Sequence, residues 1–155
     1  MATITSQIRA RIKARLEAIT PSIGIVHDRE RWAAQWSDFL ALMKHEDTGT
    51  LRGWTITREI SPGQREAPAE ALRFPVYVVR GYWGLADATS SEISFDDAVE
   101  TVQDQLGADV TLGGIADHVE EPQLRVMEPR MYGSVLCHYA EIAVRVHLTK
   151  AHTLV

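Results

Sequence analysis

Residues 132–149 read YGSVLCHYAEIAVRVHLT, and their alternation decides the fold class. Leu136, His138, Ala140, Ile142, Val144, Val146 and Leu148 fall on one side of an extended chain. Val135, Cys137, Tyr139, Glu141, Arg145 and His147 fall on the other. Residues two apart share a face of a strand, and β-branched side chains suit a pleated surface. The run far exceeds the common strand length of about 5–6 residues, so it is expected to cross a whole domain. Its first face is apolar enough to be covered by helices of the same chain. Its second face, with Tyr139, Glu141, Arg145 and His147, has no evident cover and is expected to meet solvent or a neighbouring subunit.

Working backwards, residues 122–130 predict a strand that Pro129 interrupts. Residues 111–121 hold Gly113 and Gly114 without a clear period and read as a loop. Ser94 is expected to cap a helix whose buried stripe is Phe95, Ala98, Val99, Val102 and Leu106, stopped by Gly107. Residues 74–85 predict a long strand with a bulge or bend near Gly81 and Gly84. Residues 61–72 are rich in Pro, Gly and charge and read as an exposed connection. Residues 52–60 predict a strand that turns Trp54 and Ile56 to one face, and 46–50 a polar turn. Trp32, Trp36, Phe39, Leu40 and Met43 predict a helix over about 29–44 with Asp28 as its cap. A short strand is expected within 22–27. Ile4, Ile8, Ile12, Leu16 and Ile19 form the stripe of an opening helix, capped by Thr3 or Thr5 and ended by Pro21. That Arg-rich start also fits an organellar transit peptide, although a core-packing helix explains the same pattern.

The expected architecture is α+β: a mainly antiparallel sheet of about four strands joined as a meander, with helices packed on one face as a two-layer sandwich. A single domain is expected over 1–150, with 151–155 as a short tail.

The chain has 155 residues, 45% hydrophobic and 24% charged, enough for a hydrophobic core. A net charge of −5 argues against a general nucleic-acid binder. The single cysteine, Cys137, excludes an internal disulfide and cysteine zinc clusters, and reads as a small buried residue. No apolar run approaches the roughly 20 residues of a membrane span, and the start lacks the pattern of a secretory leader. Charge is unevenly spread. Arg9, Arg11, Lys13 and Arg15 face only Glu17 near the start. Residues 92–121 hold nine of the 21 acids and no Lys or Arg. Two surfaces of opposite sign suit head-to-tail association or a charged channel wall; solubility alone explains the same pattern.

No nucleophile elbow, phosphate loop, dinucleotide fingerprint or HExxH motif is present. His138 and Glu141 are three apart on a strand and so point to opposite faces. His138 reads as a hydrogen-bonded core histidine, and His147 with Glu141 and Arg145 as a solvated or subunit-facing strip. No cofactor or metal is expected, and no enzymatic activity.

Several segments together carry a family resemblance. They are GWTITREI (53–60), FPVYVVRGYWGL (74–85), SFDDAVETVQDQL (94–106), TLGGIADHV (111–119) and the closing MYGSVLCHYAEIAVRV (131–146). With the amphipathic opening helix, this layout resembles the small tail-terminator and neck proteins of long-tailed bacteriophages, over most of residues 1–150. The resemblance implies a structural virion protein, assembled in the host cytoplasm, that forms a homo-hexameric ring on the tail tube. Such a ring ends tube polymerisation, joins the tail to the head-side connector and lets DNA pass without specific binding. The interface candidates are then Tyr82 and Trp83 as aromatic anchors, with Asp96, Asp97, Glu100, Asp104 and Asp117 as an acidic surface. Glu141 and Arg145 complete them on the open strand face. The alternatives are a head–tail adaptor or stopper, or a small enzyme or ligand-binding domain with a pocket near Asp117, His118 and His138. A regulatory dimer is a further alternative.

Overall fold

The computed structural model of the chain describes residues 3–45, 49–59 and 70–151. Of the expected connection over 61–72, residues 61–69 lie outside the described residues, as do residues 46–48 of the polar turn and 152–155 of the tail, while residues 70–72 form part of a strand instead. In chain order the elements are α1 (Ile4–Glu17), β1 (Ile25–His27), α2 (Trp36–Leu42), β2 (Arg52–Glu59) and β3 (Glu70–Arg73). They continue with β4 (Val76–Gly84), α3 (Ser91–Gly107), β5 (His118–Val119), β6 (Gln123–Tyr132) and β7 (Val135–Ala151). A single turn of tight helix over Asp87–Thr89 leads into α3.

The fold is α+β, and its spine is β7. One edge of β7 bonds β4 and then β3, joined by Val146 N–H donating to the Pro75 carbonyl at 3.0 Å. The other edge bonds β6 and then β5. The order β1-β2-β4-β7 completes the sheet. The strand expected to cross the domain therefore lies at its centre, with both rows of backbone groups paired.

About four strands were expected, and among the described residues the sheet has seven, of which β1, β3 and β5 are short. It is also mixed, not an antiparallel meander, because β1 runs parallel to β2. The α1 helix and the turn after it bring the chain back to start β1 alongside β2. Nor do all helices lie on one face. Ile8, Ile12 and Leu16 of α1 and Phe95, Val99, Val102 and Leu106 of α3 share a core with Trp54, Tyr77, Val79, Ile142 and Val144. Phe39 and Met43, from α2 and its C-terminal end, pack with Tyr82 and Tyr139, which point to the opposite face of the sheet.

Trp54 anchors the larger core. Its ring stacks on Phe95 at 6.2 Å, and its indole N–H donates to the Ile23 carbonyl at 2.9 Å. Gly81 makes room for it: a Cβ there would meet the Trp54 ring at 2.5 Å. That explains the glycine where a bulge was expected, since the β2–β4 register runs unbroken through Gly81 and the β4–β7 register through both Gly81 and Gly84. The irregularity falls instead in β6, between Leu124 and Val126. Pro129 does not interrupt β6, because β6 is bonded on the β7 side only and a proline lacking its N–H is tolerated at an edge.

The helix boundaries also differ. Thr3 caps α1 as expected, accepting from the Ser6 N–H. Asp28 does not cap α2: its carboxylate pairs with Arg29 at 2.9 Å, and α2 begins only at Trp36. Residues 29–35 stay irregular because their side chains bond elsewhere. Arg31 donates to His27 Nδ1 at 3.3 Å, and Trp32 reaches back to stack on Phe39 at 5.6 Å. α3 starts before the expected cap Ser94, with Ser90 in the left-handed region (φ 56°) and Ser91 Oγ accepting the Ala86 N–H at 2.8 Å.

Candidate interface surfaces

The second face of the sheet divides into three zones. At one end α2 supplies the cover that the sequence did not reveal. Phe39 meets Tyr82 edge-on at 5.6 Å, and Tyr82 meets Tyr139 and Tyr132 at 5.4 Å each. Burial raises the phenol pKa of Tyr82 and Tyr139 and pushes the Cys137 thiol up to about 11, so all three stay neutral at physiological pH. In the middle, Glu141 pairs with Arg80 at 3.5 Å and accepts the Tyr139 hydroxyl. Arg80 also donates to Thr57. At the far end, Glu120 Oε2 holds His147 Nε2 at 3.1 Å and Arg145 Nε at 3.5 Å. Glu141, Arg145 and His147 thus form two separate groups, one internal to the sheet and one closed by the segment before β6.

The other expected interface residues lie as follows. Tyr82 and Trp83 are inside the two cores, 5% and 6% exposed, and Arg52 covers the Trp83 ring at 4.4 Å. Asp96, Asp97, Glu100 and Asp104 are all exposed on α3. Asp117 is exposed and accepts the Thr149 N–H at 2.7 Å. The basic helix is a neighbour of the acidic one: Arg15 donates to the Gln105 carbonyl at 3.3 Å, and Gln105 returns a bond to the Arg15 carbonyl at 3.0 Å. A guanidinium at the C-terminal end of α3 is well placed for the helix dipole.

Asp117, His118 and His138 do not converge on a pocket. His118 stands opposite His147, while His138 lies nine residues earlier on β7, about 30 Å away at ~3.3 Å per residue. Among the described residues no group of three His, Cys, Asp or Glu side chains is placed to hold a metal ion. Among them, too, no helix is long and apolar enough to cross a membrane. His138 sits on the helix-covered face as expected, stacked on Phe95 at 5.6 Å and hydrogen-bonded to Ser91 Oγ at 2.9 Å.

His138 and Ser91 lie at the bottom of a feature the sequence did not announce. A groove of about 830 Å³ runs between the start of α3 and the β6–β7 hairpin. Leu85, Ile93, Phe95, Met127 and Pro129 give it apolar walls, and Asp87, Glu92 and Asp96 give it an acidic rim, while the Glu128 carboxylate turns to the Tyr139 face and pairs with Arg130 at 2.8 Å. The apolar wall continues along the hairpin through Met131 and Leu136, opposite each other on the same face. Ile93 is 65% exposed and Met131 58%. Across the sheet, Trp32 is 65% exposed and Trp36 also projects, packed edge-on against Tyr132 at 5.5 Å.

Two apolar patches on opposite faces of one hairpin are therefore uncovered among the described residues. Trp32 and Trp36 were read as a helical stripe, although the missing cap before Trp36 was a signal against that. Ile93 and Met131 carry no sequence signal of their own, because single apolar residues between polar ones are common in any strand or helix start. No protein-family model matches the chain, and no curated protein matches its sequence.

Proposed function

We propose that this chain is a structural, non-enzymatic virion protein of the phage tail-terminator type. In that role it forms a homo-hexameric ring on the tail tube, ends tube polymerisation and joins the tail to the head-side connector. The observation that carries the ring is the pair of different uncovered apolar patches on opposite faces of the β6–β7 hairpin. A closed ring needs two unlike patches per subunit, each meeting the other kind on the next copy. Patches this exposed on an isolated chain mark interaction sites. The terminator identity is supported by the resemblance of the closing strand and of the α3 segment over 94–106.

The exposed acids of α3 then serve as the wall past which DNA moves, since negative side chains repel phosphates and keep the passage non-adhesive. Light scattering on the purified protein, followed by negative-stain imaging, tests the ring. Six-subunit rings are the expected result. The quadruple variant Asp96→Asn, Asp97→Asn, Glu100→Gln, Asp104→Asn should change ring assembly or DNA passage. A protein that stays monomeric even on tail tubes sinks the ring, and an unaffected quadruple variant sinks the role of the acids.

The Ser91–His138 pair at the base of the groove favours one second reading, a small ligand-binding domain. A saturable ligand bound by the monomer would decide for it.

A further inference from the structure

Resting on the ring reading above, we infer that the ring joint is formed by the Arg29–Trp36 segment of one copy seated in the α3–β6 groove of the next. One partner is a segment with Trp32 and Trp36 both exposed; the other is a groove of about 830 Å³, roomy enough for an indole and walled by Leu85, Ile93 and Met127. Tryptophan and arginine are the side chains that most often anchor interfaces, and methionine sulfur packs well on aromatic rings. The two patches lie on opposite faces of the sheet, so neither can cover the other within one chain. A second copy provides both.

Charge supports the same pairing. The groove carries the carboxylates of Asp87, Glu92 and Asp96, and no lysine or arginine lines it. Arg31 directly precedes Trp32, and Arg29 stands two residues before Arg31. Asp28 and Glu30 offset them in total charge, so the match is one of position: guanidiniums beside the inserting ring, carboxylates around the groove that receives it. The Arg29–Asp28 pair is exposed on both sides and thus weakly held, so Arg29 can exchange its partner for a groove carboxylate. The segment is also held in place before it docks. Arg31 is bonded to His27, whose Nε2 is in turn bonded to the Leu42 carbonyl at 2.7 Å. A segment already fixed loses less conformational entropy on binding.

Disulfide trapping on the full chain tests the joint. An Ala34→Cys chain, which keeps Trp32 and Trp36, is mixed with a Ser94→Cys chain, which keeps Ile93, under a mild oxidant, and with a Val110→Cys chain as control. All three positions are exposed, so the fold is kept. The expected result is an Ala34→Cys to Ser94→Cys cross-link that is absent with the control. It should be lost when Trp32→Ala is added to the Ala34→Cys chain, or Glu92→Arg and Asp96→Arg to the Ser94→Cys chain. Cross-linking no better than to Val110→Cys overturns the joint; a groove that instead holds a partner peptide or a small ligand gives that same result. Light scattering on the unmodified chain separates the two levels. Rings without the cross-link sink the joint alone, whereas no rings on tail tubes and no cross-link sink the ring reading as well.

Discussion

Trp54 is fully buried, bonded to the Ile23 carbonyl and seated over Gly81, so three segments distant in sequence meet at one ring. Trp54→Phe removes the indole N–H and leaves both a void and an unpaired carbonyl. An unsatisfied buried acceptor costs about 1–3 kcal/mol, and the lost packing adds to it. Urea unfolding followed by circular dichroism should show a lower midpoint by that order. An unchanged midpoint would mean that the Ile23 carbonyl is served by water. At this scale the sequence was partly readable. Trp54 and Ile56 were placed on the core face correctly, and so was His138, because alternation alone assigns them. Tyr82 and Trp83 were expected at a surface and lie inside. Helices on both faces of a sheet bury both residues of an adjacent pair, and nothing local to β4 reports that second cover.

At the scale of elements, α1, α3, β2 and β7 were legible because each repeats a clear period over two or more turns, or over many strand residues. α2 was not. Its tryptophans fit a helical stripe, yet the residues before Trp36 are tied down by side-chain bonds to His27 and Phe39 that no local pattern encodes. His27 ties this region to β1, since its ring bonds both Arg31 and the Leu42 carbonyl. Burial, with Arg31, Arg29 and Lys13 nearby, lowers its pKa below the ordinary 6.5, against the opposing bond to the Leu42 carbonyl. The sign follows from proton counts. Below pH 6.5 the unfolded chain binds a proton at this site that the folded chain resists, so stability falls as pH drops through that window. Replacing it by His27→Gln removes the site from the linkage. The fall in stability between pH 7 and pH 5 should then be shallower than in the parent chain, measured by urea midpoints across that range. An identical slope would show that His27 is not shifted.

The whole molecule shows a division of labour. One face of the sheet is closed by α1 and α3, while the second is closed at one end by α2 and bridged elsewhere by Arg80–Glu141 and Glu120–His147. What remains uncovered is concentrated at the β6–β7 hairpin, on both of its sides. The surface expected to meet a neighbour was the open face of the long strand. The uncovered apolar surface lies one strand further out, because α2 and the Glu120 side chain occupy that face. Sequence periodicity says which residues share a face. It does not say which face a distant segment will return to cover.

Tube assembly tests the proposal that this chain caps a tail tube as a ring. Under that proposal, tube protein of the phage that would carry it is polymerised with and without this protein, and tube lengths and ends are measured by electron microscopy. The expected result is shorter tubes with a six-fold ring on one end and no further growth from that end. Tubes of unchanged length with bare ends, and a chain that stays free in solution, would overturn it.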